Sequence, residues 1–152
     1  MIATTGTEII FKGSFIKIKP DFYDFLVEGS SNILIMSPEI DNNNIISIHS
    51  LLEKYLYVDL VIYKDVQFIN YSIKNVFVNI GLNEGIIKTL FFFDLREFND
   101  DNYKNIFQNL AVWCKNFSYT YNFEEFICQI DNANGDEYYF NKDDYGPLYY
   151  TI

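Results

Sequence analysis

The clearest pattern in the chain is an apolar stripe with helical spacing around residue 110. Apolar side chains recur at steps of three and four residues, which places them on one face of an α-helix. They are Tyr103, Ile106, Phe107, Leu110, Ala111, Trp113, Cys114 and Phe117. We predict an amphipathic helix over 100–117, capped by Asp100 or Asp101 and packed on a sheet.

The middle of the chain is rich in β-branched and aromatic residues, which favour strands. Short polar breaks divide it into four runs, as in a β-meander. The runs are 58–63, 66–73, 75–82 and 86–95. Gly85 permits the positive φ that a tight loop between the last two runs requires.

Shorter elements are expected before this meander. Residues 8–19 alternate around Gly13-Ser14 and predict two short β segments, and 32–36 predicts another strand. Pro20 suits the first turn of a short helix over 20–28, because proline is well tolerated there. We predict a loop at "DNNN", 41–44. The stretch "SLLE", 50–53, fits a capping box in which Ser50 and Glu53 start a second short helix, and this helix runs to Tyr57.

The C-terminal part predicts a hairpin, because 126–130 and 136–141 flank Asn134-Gly135, a strong tight-turn signal. Pairing across that turn gives two faces. One face carries Phe126, Cys128, Ile130, Glu137, Tyr139 and Asn141, and the other carries Ile127, Gln129, Asp131, Asp136, Tyr138 and Phe140. We expect the Phe126 face to point inward, so that Asp131, Asp136 and Tyr138 look outward.

Together these elements predict an α+β fold. Its mostly antiparallel sheet combines a meander and a C-terminal hairpin, with one main amphipathic helix and one or two short helices. The 152 residues, 49% of them apolar, suffice for one core in a single globular domain, 1–152. Cys114 and Cys128 are too few for a disulfide framework, and no segment reads as a secretion signal or membrane span. We therefore expect a cytoplasmic protein with reduced thiols.

Charge narrows the class of partner. The chain carries 11 basic and 21 acidic residues, a net charge of −10. The excess is C-terminal, since 94–152 holds 4 basic and 11 acidic residues, or −7, and 1–93 holds 7 and 10, or −3. Such a chain repels nucleic acid and anionic membranes. Genomic drift toward AT-rich codons would add lysine, so the acidic balance indicates selection on charge.

No residue set carries recognisable chemistry. His49 is the only histidine, so a histidine metal cluster within one chain is excluded. Cys114 and Cys128 fall on apolar faces, where cysteine is inert. The loop "DNANGDEYYF" lacks a calcium-binding pattern, because Ala133 and Gly135 occupy ligand positions. We predict no catalytic residues, no metal and no cofactor.

The stretch "GDEYYFNKDDYGPLYY", 135–150, holds five tyrosines and four acids. Tyrosine supplies contact area with a hydrogen-bonding tip, and carboxylates steer a basic partner. The alternative is structural, with tyrosines closing the sheet edge and acids solvating a loop. The candidate partner-binding residues are Asp131, Asp136, Tyr138, Asp143, Asp144, Tyr145 and Tyr149.

This profile, an acidic aromatic-rich α+β chain ending in "YFNKDDYGPLYY", resembles bacterial toxin-immunity proteins of polymorphic and contact-dependent systems. The resemblance implies a specific inhibitor that covers a cognate basic toxin, with carboxylates meeting the Lys and Arg groups that otherwise hold substrate phosphates. Three alternatives stay open. They are a nucleic-acid-mimicking phage-type inhibitor, a small carboxylate-dependent hydrolase or transferase, and a scaffold or oligomer subunit.

Overall fold

A computed structural model describes residues 6–40 and 47–152. Within these residues one seven-stranded sheet has the order β2-β3-β4-β5-β1-β6-β7, with every neighbouring pair antiparallel. The strands are β1 Gly6–Ser14, β2 Ser30–Ser37, β3 Tyr57–Phe68, β4 Tyr71–Asn83, β5 Ile86–Asp94, β6 Glu125–Ile130 and β7 Tyr138–Asn141. The helices are α1 Asp21–Val27, α2 Ile48–Lys54 and α3 Tyr103–Tyr121, with 3-10 turns at Leu95–Phe98 and Tyr149–Thr151. The predicted α+β class is confirmed, whereas the predicted loop 41–44 lies outside the described residues.

An aromatic core joins one face of the sheet to the helices. Phe11 of β1 is fully buried, and its ring lies 4.5 Å from that of Phe117 and 5.9 Å from those of Phe91 and Trp113. Such edge-to-face and tilted pairs add to the burial of apolar area. Helix α1 lies on the same side, because Phe22 contacts the ring of Phe117 at 6.0 Å.

The predicted meander is present, but its first two breaks were misplaced. Residues 66–73 do not form one strand, because the chain reverses at Ile69-Asn70 between β3 and β4. The polar breaks at Lys64-Asp65 and Lys74-Asn75 lie inside the strands and coincide with a register shift. There Asn75 has a φ of 53°, and its N–H donates to Asp65 Oδ1 at 3.1 Å. The predicted loop at Gly85 is confirmed, with a φ of 85°.

The first predicted segment also differs from the structure. Strand β1 runs without a break to Ser14, and 15–19 form a turn in which Lys17 N–H donates to Ser14 O at 2.9 Å. Gly13 suits this turn, because a side chain would lie 2.9 Å from Ile18 Cδ1 and 3.3 Å from the Phe123 backbone. The predicted strand at 32–36 and the short helix after Pro20 are confirmed.

Both helix caps were predicted at the wrong residue. Ser47 rather than Ser50 caps α2, since its Oγ accepts from Ser50 N–H at 3.0 Å, and the helix ends at Lys54 instead of continuing to Tyr57. Asn102 rather than an aspartate caps α3, and its Oδ1 accepts from Asn105 N–H at 3.1 Å. In each case the capping side chain belongs to the residue just before the first helical residue, as capping geometry requires.

The C-terminal hairpin has a different register from the predicted one. Cys128 lies opposite Phe140, so Phe140 shares the inward face and is 1% exposed. A register shift follows Cys128, and it lets the adjacent Tyr139 be buried as well, against Phe107. The predicted two-residue turn is a longer loop, 131–137, in which Glu137 N–H donates to Asn134 O at 2.7 Å. None of the described helices has the length and apolar character needed to cross a membrane.

Candidate protein interaction surface

The C-terminal acidic segment begins with a turn built on one asparagine. Asn141 Oδ1 accepts from the N–H groups of Asp143 and Asp144 at 2.9 and 3.0 Å. Asn141 N–H in turn donates to Asp144 O at 2.9 Å. The side chain and backbone of Asn141 thus fix the turn. Both aspartate side chains are exposed, and Asp144 Oδ1 also accepts from Tyr145 N–H at 2.8 Å.

After this turn the chain pairs with the outer edge of β7. Gly146 N–H donates to Tyr139 O at 2.9 Å and Leu148 N–H donates to Tyr138 O at 3.2 Å. The pairing is tight, since a side chain at Gly146 would lie 2.5 Å from the carbonyl oxygen of Tyr138. Edge strands that are covered in this way do not pair with other chains.

The tyrosines of the segment divide into structural and accessible ones. Tyr149 is 8% exposed, stacks on Tyr145 with ring centroids 4.0 Å apart and accepts from Gln108 Nε2 at 3.0 Å. Tyr145 is half-buried, and burial raises the pKa of its hydroxyl. Tyr139, stacked 3.9 Å from Phe107, is buried deeply enough that its pKa rises to about 12. Tyr138 is half-buried and opens β7.

The predicted acids form two groups and not one. Asp143 and Asp144 lie in the turn after β7, whereas Asp131 and Asp136 lie in the loop before it. All four are exposed. A four-residue strand spans roughly 13 Å, so a single partner domain can touch both groups.

Sequence reasoning missed a second surface, the sheet face that points away from α3. Because side chains alternate along a strand, the neighbours of the core residues point there. One cross-strand row places Val61 opposite Asn79, then Leu90, Ile10 and Ile127. Val61, Leu90 and Ile127 are half-buried, and Ile10 is 8% exposed. We call this the open face.

A second row on the open face is aromatic. Tyr63 lies opposite Phe77, which lies opposite Phe92, and the rings of Tyr63 and Phe77 are 5.7 Å apart in an edge-to-face arrangement. Tyr63 is 36% exposed and the two phenylalanines are half-buried. The sequence signal for the open face was the alternation of apolar residues in β3–β5. A strand that packs on the core shows the same alternation, so the signal did not identify a second surface.

The open face also carries charges. Lys12 and Lys88 lie directly opposite each other on β1 and β5, with Glu125 opposite Lys12 on the other side. Neither lysine has a carboxylate within 4 Å in the described part of the chain. A recess of about 290 Å³ connects this end of the open face to the Asn141 turn. Its lining includes Lys12, Glu125, Ile127, Asn141, Lys142 and Asp143.

The remaining reactive groups are held in the interior or paired. Cys114 and Cys128 are fully buried free thiols, and burial raises the pKa of both.

The ring of His49 stacks on that of Tyr23, with the two ring centroids 4.8 Å apart. Lys64 is 3% exposed, with Nζ 3.8 Å from the centre of the Phe25 ring, and burial lowers its pKa. Over residues 6–40 and 47–152, no three His, Cys, Asp or Glu side chains lie close enough to hold a metal ion.

The antiparallel sheet thus has its helices on one face, while the open face carries partly exposed apolar rows and the C-terminal segment carries exposed acids. The family model of the PABL017 Cdi1I immunity protein matches residues 8–145, and the chain therefore belongs to this immunity protein family. Its fold is also that of a chain in the crystal structure of the toxic C-terminal tip of CdiA from Pseudomonas aeruginosa in complex with an immune protein. That chain has a TM-score of 0.63 and 16% identity, with 95% of this chain and 99% of that one covered. Comparison with curated proteins gave no match.

Proposed function

We propose that this protein protects a bacterial cell by binding a cognate CdiA-type toxin domain and blocking it, without catalysing a reaction. The family match over residues 8–145 carries the proposal. The similar fold of a chain from a complex between a CdiA toxin tip and an immune protein supports it. Neutralisation by binding needs only a complementary surface, and the exposed acids and open face supply one.

The exposed aspartates supply the long-range electrostatic attraction that this function needs. Asp136, Asp143 and Asp144 are exposed on a chain of net charge −10, so they attract a basic toxin domain from a distance. Tyr138 and Tyr145 add contact area beside them. Tyr149 contributes indirectly, because its buried ring holds Tyr145 in place.

The cytoplasm is the proposed site of action. Both cysteines are free, which suits a reducing compartment. In the cytoplasm this protein binds a toxin domain that has entered the cell, before the toxin domain reaches its target.

Growth protection is the direct test of the proposed function. A candidate toxin domain is first sought in the neighbouring reading frames. It is then induced in bacterial cells with and without this chain, and the two purified proteins are titrated by calorimetry. We expect the chain to restore growth and to bind at about a 1:1 ratio with nanomolar or tighter affinity, as protein inhibitors commonly do. Growth arrest in the presence of the folded chain, with no binding heat, would overturn the proposal.

Charge reversal tests the electrostatic part. The variant Asp143→Lys/Asp144→Lys should associate with the toxin roughly 10-fold more slowly at low salt, with a smaller loss at high salt. The matched control Asp24→Lys/Asp101→Lys makes the same change in net charge at two exposed residues near the helices. Equal rates for the two variants would mean that total charge, and not the Asn141 turn, steers the partner.

A further inference from the structure

We propose that the open face is the surface on which the toxin domain is held, with the Asn141 turn forming its acidic rim. This inference rests on the proposed function, because it names the surface that the same partner covers. The occupant is therefore a folded toxin domain with an apolar patch bordered by basic side chains.

The apolar row is the first argument. Val61, Leu90, Ile10 and Ile127 follow one another across five strands, interrupted by Asn79. Val61, Leu90 and Ile127 stay partly exposed on either side of Ile10, which is 8% exposed, and adjoining apolar side chains rimmed by polar groups are typical of an interaction site. Ring contacts place α1 and α3 on the opposite side of the sheet, and α2 lies with them, because His49 stacks on Tyr23 of α1. No described helix therefore covers this row.

The aromatic row gives the face a rigid centre. Tyr63, Phe77 and Phe92 lie opposite one another on three neighbouring strands, and the rings of Tyr63 and Phe77 are in edge-to-face contact. Aromatic side chains that are ordered before binding lose little entropy when a partner covers them. They are also enriched among the residues that dominate binding energy.

The opposed lysines point to a charged group on the partner. Like charges placed directly opposite on neighbouring strands are destabilising, yet Lys12 faces Lys88 across β1 and β5. A carboxylate of the toxin placed between them would remove this repulsion. The acids Glu125 and Asp143 beside them would take basic groups of the same partner, so the mixed charges fix one orientation.

The recess beside Lys12 marks the border between the two parts of the surface. Its volume of about 290 Å³ lies just below the usual range of roughly 300–1,000 Å³ for small-molecule pockets. It is open toward Asp143 and Lys142 of the acidic segment. A pocket of this size suits one or two side chains of a docked protein.

The binding test compares the two sides of the sheet. Leu90→Arg places a charge in the apolar row, and Val112→Arg makes a similar change at a residue 52% exposed on α3. We expect Leu90→Arg to raise the dissociation constant for the neighbouring-frame toxin domain on the order of 100-fold, and Val112→Arg to change it less than about 3-fold. Urea unfolding checks that both variants are folded.

A second pair keeps the proposal testable if Leu90→Arg does not fold. Lys88→Glu turns the like-charge pair with Lys12 into an opposite-charge pair within the chain but presents an acid to the partner, so we expect weaker binding without lost stability. Its control is Lys17→Glu, at an exposed residue of the 15–19 turn. Unchanged toxin affinity in the open-face variants overturns the inference, while growth protection by the wild-type chain still supports the proposed function.

Light scattering tests whether a second copy of this chain, instead of the toxin domain, occupies the open face. We expect the isolated protein to be a monomer that forms a 1:1 complex. A dimer that Leu90→Arg converts to a monomer with full toxin affinity would assign the open face to self-association and overturn the inference.

Discussion

Both faces of the sheet carry aromatic and aliphatic residues, but these residues have different roles on the two faces. Two neighbouring phenylalanines in β5 illustrate the difference. Phe91 is fully buried and makes edge-to-face contacts with Phe11, Trp113 and Phe117. Phe92 points the other way, lies opposite Phe77 and is only half-buried. The helix-covered face therefore carries most of the folding energy. The open face carries apolar area that folding does not use, which fits a surface completed by a partner.

The largest expected difference is between alanine substitutions at these two residues. Phe91→Ala should lower the free energy of unfolding by about 3–5 kcal/mol, because it leaves a cavity in a packed core. Phe92→Ala should lower it by roughly 1 kcal/mol, since solvent and side-chain relaxation fill the space. Urea denaturation of both variants measures the difference. Equal losses would mean that the open face is part of the core.

The edge of β7 gives the next comparison. Gly146→Ala should destabilise the protein by roughly 1–3 kcal/mol, because the new methyl group meets the Tyr138 backbone and ring. The control is Gly135→Ala in the 131–137 loop, where no atom lies within 4 Å of the added group. Thermal unfolding of both variants checks this, and a neutral Gly146→Ala would show that the terminal segment is loosely held.

Alkaline pH probes the helix-covered face. The folded-state pKa of Tyr139 is about 12, against 10.0 for an unperturbed tyrosine. Above pH 10 the unfolded chain loses this proton and the folded chain keeps it, so stability is full below pH 10 and falls between pH 10 and 12. The slope from this group is at most about 1.4 kcal/mol per pH unit.

Tyr139→Phe should make that alkaline loss shallower in urea titrations at several pH values. Tyr150→Phe, at a residue 66% exposed, is the control for the loss of a tyrosine hydroxyl. Identical slopes for the wild-type chain and Tyr139→Phe would contradict the buried position of this hydroxyl.

The smallest expected effect concerns the cap of the helix that covers the core. Asn102→Ala should cost about 1 kcal/mol, the usual value of a helix N-cap. Asp101→Ala should change stability by less than about 0.5 kcal/mol, because the contact of Asp101 with the helix is through its backbone oxygen. If the aspartate variant were the more damaging one, the cap assignment would be wrong.

Local patterns predicted the fold class well but not its long-range details. The apolar stripe of α3 and the strand-like runs are periodic, so their type follows from the sequence. The turn at Ile69-Asn70 could not be found this way, because isoleucine favours strands and here adopts a φ of 56°. The central place of β1 between β5 and β6 is set by pairing over long sequence separations.

The candidate surface was predicted in part. The exposed turn with Asp143 and Asp144 is a local feature, because Asn141 Oδ1 accepts from both of their N–H groups. The burial of Tyr149 depends on Gln108, 41 residues away, which no local pattern reveals. The open face was missed because Val61 and Leu90 alternate as core residues do, and only the position of the helices distinguishes the two faces.

Site-specific crosslinking to the toxin domain tests the central claim most directly. A photoreactive phenylalanine analogue is placed at Tyr63, 36% exposed on the open face, or at Tyr119, 86% exposed on α3. The account predicts that the Tyr63 probe crosslinks to the bound toxin and that the more exposed Tyr119 probe does not. Crosslinking from Tyr119 alone would contradict it and assign the toxin to the helical side.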